Sequence, residues 1–397
     1  MSTSLEPSEL AALVALAALP GIGPGSLRRW LDSGTASRGW RAAASGRMAA
    51  DPVLATCAGR RGDDAGRMLA AAAGIDPVAL LERHRALGVE VLVHGHRGYP
   101  ARLVGDPSPP PLLFVSGDLA GVDGPTVAIV GTRNATRLGC DTAGELATDL
   151  ARSGVGIVSG LALGIDGAAH AALVGALDRA GEPSRVGRPV AVVAAGLDRR
   201  YPRAHASLHR DVVRWGAVVG EVPLGVGPSR WRFPARNRII AGLADAVVVV
   251  ESRSAGGSMS TVAEALTRDR PVLAVPGHPT SPAAAGTLDL IYDGATPVRD
   301  AHDVLVALEL VGVRAPASPP VAPLLPVEVD EGWEAAVLAE LTGGPRSLGD
   351  LVQRLGAPLD DLSEVLLRLE LEGELTRSGT WFERRSTQRG SAVGRRR

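Results

Sequence analysis

From residue 126 onward the chain alternates short, nearly uninterrupted apolar runs with longer stretches of helical periodicity. The runs fall at 127–130, 156–158, 190–193, 218–219, 246–250 and 272–275. Strands that are apolar on both faces belong to a sheet covered on both sides, and helical segments between them are its crossovers. The pattern therefore predicts a doubly wound, mainly parallel α/β sheet ending near residue 310. Before it, residues 8–85 read as short alanine-rich helices, broken at Pro20-Gly21-Ile22-Gly23-Pro24-Gly25 and again around Asp51-Pro52. After it, apolar positions in 333–342, 348–355 and 361–372, followed by a segment of strand character at 374–382, predict three helices and a β-wing.

Five prolines among small residues in 312–329 mark an extended linker, and the six arginines without an acid in 384–397 mark a disordered tail attracted to polyanions. The expected organisation is thus a helical domain (1–85), an α/β core (86–311), a linker (312–329), a winged-helix domain (330–383) and a basic tail (384–397). Pro20 to Gly25 is the feature of the helical domain that hints at chemistry. Leu19-Pro20-Gly21-Ile22-Gly23 between two helices resembles the hairpin of helix-hairpin-helix modules, whose glycines bring backbone amides close to a DNA phosphate. An ordinary turn between packed helices fits the same residues.

Composition narrows the chemistry. All 42 basic residues are arginine, and the absence of lysine excludes Walker-type phosphate loops and Schiff-base enzymes. Two cysteines, Cys57 and Cys140, build no disulfide framework. The start Met1-Ser2-Thr3-Ser4-Leu5-Glu6 lacks the order of a signal peptide, and no apolar run is long enough to span a bilayer, so a cytoplasmic protein without a membrane partner is expected.

In a sheet of this kind ligands bind beyond the carboxyl ends of the strands. There the chain is small and polar: Gly131-Thr132, Ser159-Gly160, Ala195-Gly196, Gly220-Glu221, Glu251-Ser252 and Pro276-Gly277. Small residues admit a ligand to the backbone, and the helix N-termini that follow favour an anion, most simply a phosphate. No loop reads Gly-x-Gly-x-x-Gly, which argues against a dinucleotide. Arg133 stands instead where such a fold needs a small residue, and it can offer a bidentate fork to phosphate or pair with a nearby acid.

Charge points to a polymer. Nine arginines face only Asp211 and Glu221 between residues 199 and 238, and the scarce aromatics recur there as Tyr201, Trp215, Trp231 and Phe233. Cations interleaved with rings suit single-stranded nucleic acid, its backbone held by charge and its bases by flat faces. Arg236 and Arg238 flank Asn237, one of only two asparagines, and the spacing suggests that at least one arginine turns inward into a polar network. His205 and His209 lack a third ligand, so no metal is expected, and Asp166 reads as the N-cap of the helix after it.

Val130-Gly131-Thr132-Arg133, Ser159-Gly160-Leu161-Ala162-Leu163-Gly164-Ile165-Asp166, Gly196-Leu197-Asp198 with Tyr201-Pro202, and Phe233-Pro234-Ala235-Arg236-Asn237-Arg238 resemble the DNA-processing protein A (DprA, or Smf) family. The resemblance runs from about 86 to about 310. It implies a Rossmann-like core, with an N-terminal helix-hairpin-helix or SAM-like domain and a C-terminal winged helix. It further implies single-stranded DNA binding, a homodimer, loading of a RecA-type recombinase during DNA uptake, and neither catalysis nor a cofactor. The phosphate-binding residues it implies are Gly131, Thr132, Arg133, Ser159, Gly160, Gly196, Arg203, Arg236, Asn237, Arg238, Gly257 and Ser258. One enzymatic alternative stands beside it. Gly256-Gly257-Ser258 with Glu264 resembles, with one residue too many, the loop of nucleoside-monophosphate phosphoribohydrolases on a related fold. In the winged-helix segment twelve acids face four arginines, so it is expected to bind protein or to pack on the core rather than to read DNA.

Overall fold

The structure, a computed structural model, describes residues 5–59, 63–181, 186–315, 332–342 and 344–384. Residues 385–397 of the expected tail and 316–329 of the expected linker lie outside the described residues, and Arg384, expected to begin the tail, ends a strand. Two compact units form, residues 1–318 and 319–397.

Six helices open the first unit: α1 (Pro7–Ala18), α2 (Pro24–Ser33), α3 (Ala36–Ala44), α4 (Pro52–Ala58), α5 (Asp64–Ala73) and α6 (Pro77–Ala86). Four begin on proline, whose missing N–H costs nothing in a first turn. Asp51 caps α4 by accepting the amides of Val53 and Leu54 at 2.9 and 3.1 Å, and its other oxygen accepts the buried indole N–H of Trp30 at 3.1 Å. Ala11 to Ala17 of α1 are all buried, as a helix that is apolar on every side must be.

Nine strands follow: β1 (Val89–Val93), β2 (Leu112–Gly117), β3 (Thr126–Val130), β4 (Gly156–Ser159), β5 (Pro189–Val193), β6 (Ala217–Gly220), β7 (Ala246–Val249), β8 (Val272–Ala274) and β9 (Thr296–Pro297). Their order is β1-β2-β6-β5-β4-β3-β7-β8-β9, parallel from β6 to β9, with β1 and β2 antiparallel at one edge. Interleaved are α7 (Ala101–Val104), α8 (Arg137–Arg152), α9 (Ile165–Ala180), α10 (Ala206–Trp215), α11 (Arg232–Leu243), α12 (Met259–Leu266), α13 (Ala285–Tyr292) and α14 (Ala301–Leu310). All six predicted runs are strands, and the doubly wound, mainly parallel sheet is present.

The alternation of side chains along each strand divides the core. Ala128 and Val130 of β3, Val190 and Val192 of β5 and Leu113 and Val115 of β2 meet Ile239, Ile240 and Leu243 of α11 on one face. On the other face Val127 and Ile129 meet Leu146 and Leu150 of α8 and Leu173 of α9. Beyond β4 that same face changes cover. Leu112 and Phe114 of β2, Ala191 and Val193 of β5 and Val218 of β6 are roofed by the N-terminal helices in one cluster with Leu16, Trp30, Leu54 and Leu81. The helices before residue 86 thus complete a layer of the sheet, and the first unit has no gap at the boundary the sequence suggested.

The second unit has its own core. Helices α15 (Gly332–Thr342), α16 (Leu348–Leu355) and α17 (Leu359–Leu371) pack on a three-stranded sheet of order β10-β12-β11, made by Arg346–Ser347, Trp381–Arg384 and Leu375–Ser378 in that order. Leu351, Leu362, Val365, Leu366, Leu369 and Phe382 are buried among them. The outer side of α17 exposes Leu359, Leu367 and Leu371 among Asp360, Asp361 and Glu372.

Three buried histidines make the first unit acid-sensitive. Burial pulls His170 and His209 down to about 4 and lowers His84 as well. The unfolded chain, with histidines near their ordinary value of about 6.5, then binds more protons below that pH, so the stability these groups contribute is full above it and lost as pH falls toward 4. Asp166 and Glu221, pushed up by burial, act in the opposite sense. The urea midpoint is expected to be flat above pH 7 and to fall below 6.5, and His209→Gln should make that fall shallower; parallel curves would show that His209 takes no part. For the second unit, a fragment of residues 330–384 is expected to show no salt-sensitive retention of DNA in gel shifts, because phosphates are repelled from α17. Retention that weakens with salt would contradict that.

Candidate functional site

Connections from β3 and β7 leave in opposite directions, and the crevice between such strands is where this architecture offers a helix N-terminus to a ligand's phosphates. Here the chain fills that place itself. Glu251, just past β7, accepts the Thr136 amide at 2.9 Å and the Thr136 hydroxyl at 2.6 Å at the start of α8, while Thr136 caps the helix by accepting from the Gly139 amide at 3.0 Å. A Cβ on Gly139 would collide with that carboxylate. The Thr132 amide donates to the Glu251 carbonyl at 2.7 Å. At Gly131 a Cβ would lie 2.5 Å from the Ile165 side chain and 2.8 Å from the Glu251 carbonyl, so this glycine serves close packing.

A second carboxylate occupies the next loop. Asp166 is not the N-cap of α9. Gly164, at φ 77°, takes that position, and Asp166 sits inside the first turn. Its buried carboxylate accepts the Gly160 amide at 3.1 Å. Burial pushes its pKa up, while Arg236 and the amides of Ala162, Gly131 and Gly160 pull it down. The Arg236 guanidinium, buried and brought down to about 10 by that burial, donates to the carbonyls of Gly160 (2.8 Å) and Val192 and, through Nε, to Asn237 Oδ1 (3.0 Å). It ties the ends of β4 and β5 beneath α11. Arg238 also turns inward and pairs with half-buried Glu221, so both arginines of the Arg-Asn-Arg step are internal, where the spacing required only one. Asn237 Nδ2 donates to the Ser260 hydroxyl at 2.7 Å, which in turn donates to the Gly257 carbonyl at 2.8 Å.

Above this framework lies an open cleft of about 480 Å³ over the ends of β3, β4 and β5. The Arg133 guanidinium stands 4.7 Å from the centroid of the Phe233 ring, and Tyr201 meets Phe233 at 5.7 Å with its planes inclined by 50°. Tyr201 is 46 % exposed. Arg199 lines the same cleft 3.8 Å from Asp198, and Arg203 projects outward from the 3-10 turn Arg203–His205 that follows Pro202. Neither Arg133 nor Arg203 has an ion-pair partner among the described residues.

The expected phosphate set therefore divides. Arg133, Gly160 and Arg236 line the cleft and Arg203 lies at its edge, whereas several others are committed elsewhere. The Ser159 hydroxyl, fully buried, donates to the Ile129 carbonyl at 2.6 Å, and the Ser258 hydroxyl donates to Ser252 at 2.8 Å. Gly196 is buried, with the Pro223 carbonyl 2.5 Å from where its Cβ would be. Gly131, Thr132, Asn237 and Arg238 hold loops together, and Gly257 faces open space on the β7–α12 loop. Small residues at strand ends admitted the protein's own side chains, which sequence alone does not distinguish from a ligand. Arg199, Tyr201 and Phe233 also line the cleft and were signalled by the basic, aromatic stretch; Trp215, from the same stretch, lies apart and donates its indole N–H to Asp178 at 2.8 Å. Glu264, the acid of the glycosidic alternative, is held by Arg268 at 2.6 Å and does not line the cleft. Among the described residues no cluster suits a metal ion, and no helix is long and apolar enough to cross a membrane.

Residues 90–309, more than half of the chain, match the family model of DNA recombination-mediator protein A. The chain belongs to that family. Residues 314–379 match the DprA winged helix domain, in agreement with the three helices and wing of the second unit. The DNA processing protein DprA of Bacillus subtilis is 36% identical over 58% of this chain and 74% of its own. Protein Smf of Escherichia coli is 35% identical over 69% of this chain and 72% of its own. The structure of DprA from Streptococcus pneumoniae aligns with a TM-score of 0.59 at 29% identity, covering 77% of this chain and 98% of that one.

Within this family member Arg236 is a strut, and its removal leaves Asp166 buried without its counter-charge. Arg236→Ala is expected to lower the free energy of unfolding by about 3 kcal/mol, read from urea midpoints. Arg236→Lys should recover only part, because one ammonium does not reproduce a planar fork to carbonyls on two strands. Unchanged midpoints would remove the strut role.

Proposed function

We propose that the protein binds single-stranded DNA along the cleft, without chemistry on the strand, and presents it to a RecA-type recombinase as a homodimer. The observation that carries the reading is the Arg133–Phe233–Tyr201 group: a guanidinium without a carboxylate partner, set over one ring and beside a second that is open to solvent. Arginines in the cleft and at its rim supply charge for successive phosphates, and the rings supply faces that only unpaired bases can use. Membership of a recombination-mediator family supports the recombinase as the receiving partner.

Arg133→Ala and Arg203→Ala should each weaken binding of oligo-dT and of mixed-sequence strands alike. Each should also reduce the slope of log affinity against log salt by about 0.7, one phosphate contact on a single strand. Phe233→Leu should lose affinity, by about 1–3 kcal/mol, with the slope unchanged. Anisotropy titrations at several salt concentrations check all three. Parent-like binding by both arginine variants would remove the site from the cleft.

A further inference from the structure

Between the hairpin of α1 and α2 and the cleft lies a series of hollows with shared lining residues. The cleft and the next hollow share Val193, Ala194 and Arg236, and that hollow shares Ile22, Gly23, Trp231 and Arg232 with a groove of about 1110 Å³ beneath the hairpin. Trp231, the residue before α11, stands where the last two meet. Its indole is 57 % exposed, and the Arg232 guanidinium lies 5.0 Å from its ring. A large exposed ring backed by a cation has the character of the Phe233–Arg133 pair, and it lines the hollow next to the cleft and the groove beyond.

The hairpin supplies the far end. Gly21, at φ 79°, needs its glycine for the turn, and its Cβ position faces Met68 at 3.2 Å. Gly23 and Gly25 need theirs for neither reason: both avoid the left-handed region, and a Cβ at either would meet nothing within 4 Å. What remains for them is open access to the backbone at the start of α2. Arg67 lines the groove opposite, paired with Asp64, and Arg230 is exposed on the approach.

We infer that the single strand does not end at the cleft but runs on over Trp231, which stacks a further base, to the hairpin, where the backbone around Gly23 and Gly25 meets the phosphate beyond it. This rests on the cleft being a single-strand site, and oligonucleotide length separates the two ideas. A strand of about five residues fills the cleft, and one of about twelve reaches the hairpin, within the range of single-strand site sizes. Trp231→Ala is expected to bind the short oligo-dT like the parent and the long one about tenfold more weakly, with Trp231→Phe largely restored. Gly25→Glu, an acid compatible with a helix N-terminus, should give the same length-selective loss. Arg133→Ala should weaken both lengths. Parent-like binding of both lengths by Trp231→Ala and Gly25→Glu, or equal weakening of both, would overturn the track while leaving the cleft in place. Failure of the parent to bind either length would overturn both.

Discussion

A buried guanidinium organises the binding face. Arg236 reaches from α11 to carbonyls at the ends of β4 and β5 and faces the Asp166 carboxylate, which in turn gathers the amide of Gly160. Arg236 keeps its bonds to Gly160, Val192 and Asn237 and Asp166 its bond from the Gly160 amide, and each charge lowers the cost of burying the other. Together they tie the loop after β4 to β5 and to α11. Phe233, on the same helix as Arg236, is thereby held over the cleft, and Arg133 rests on it.

Nearly uninterrupted apolar runs announced the strands because both faces of this sheet are covered, and every predicted run is one. β1 and β2 were less visible. Leu112 to Val115 follow a proline-rich approach, and their antiparallel pairing to β6 depends on tertiary contact. Nor does local pattern reveal that helices before residue 86 roof Leu112, Phe114 and Val193; that follows from which half of the sheet α8, α9 and α14 leave bare.

Within the site the division is sharper. Arg133, Tyr201 and Phe233 were legible as charge and rings in an otherwise aromatic-poor chain. The roles of Ser159, Ser258, Asn237 and Arg238 were not, because a polar residue at a strand end looks the same in sequence whether it awaits a phosphate or satisfies a neighbour. Glu251 and Asp166 decide the matter. Glu251 holds the Thr136 amide at the start of α8 and Asp166 holds the Gly160 amide just past β4, so in both loops a carboxylate of the protein stands where an anion was expected.

That substitution changes what kind of ligand the fold can select. A nest of amides at a helix N-terminus grips one small anion in one geometry. With those amides occupied, the remaining positive charge sits on guanidiniums at the ends of flexible side chains, Arg133, Arg199 and Arg203, spread along a cleft and set beside rings. Such an array binds a single phosphate weakly, since no point of it gathers several donors. It binds a chain of phosphates well, because each cation adds its own released counterion and each ring its own base. Glu251 and Asp166, placed behind the loops, thus leave guanidiniums and rings as the groups the cleft offers, the array that the proposed polymer ligand requires.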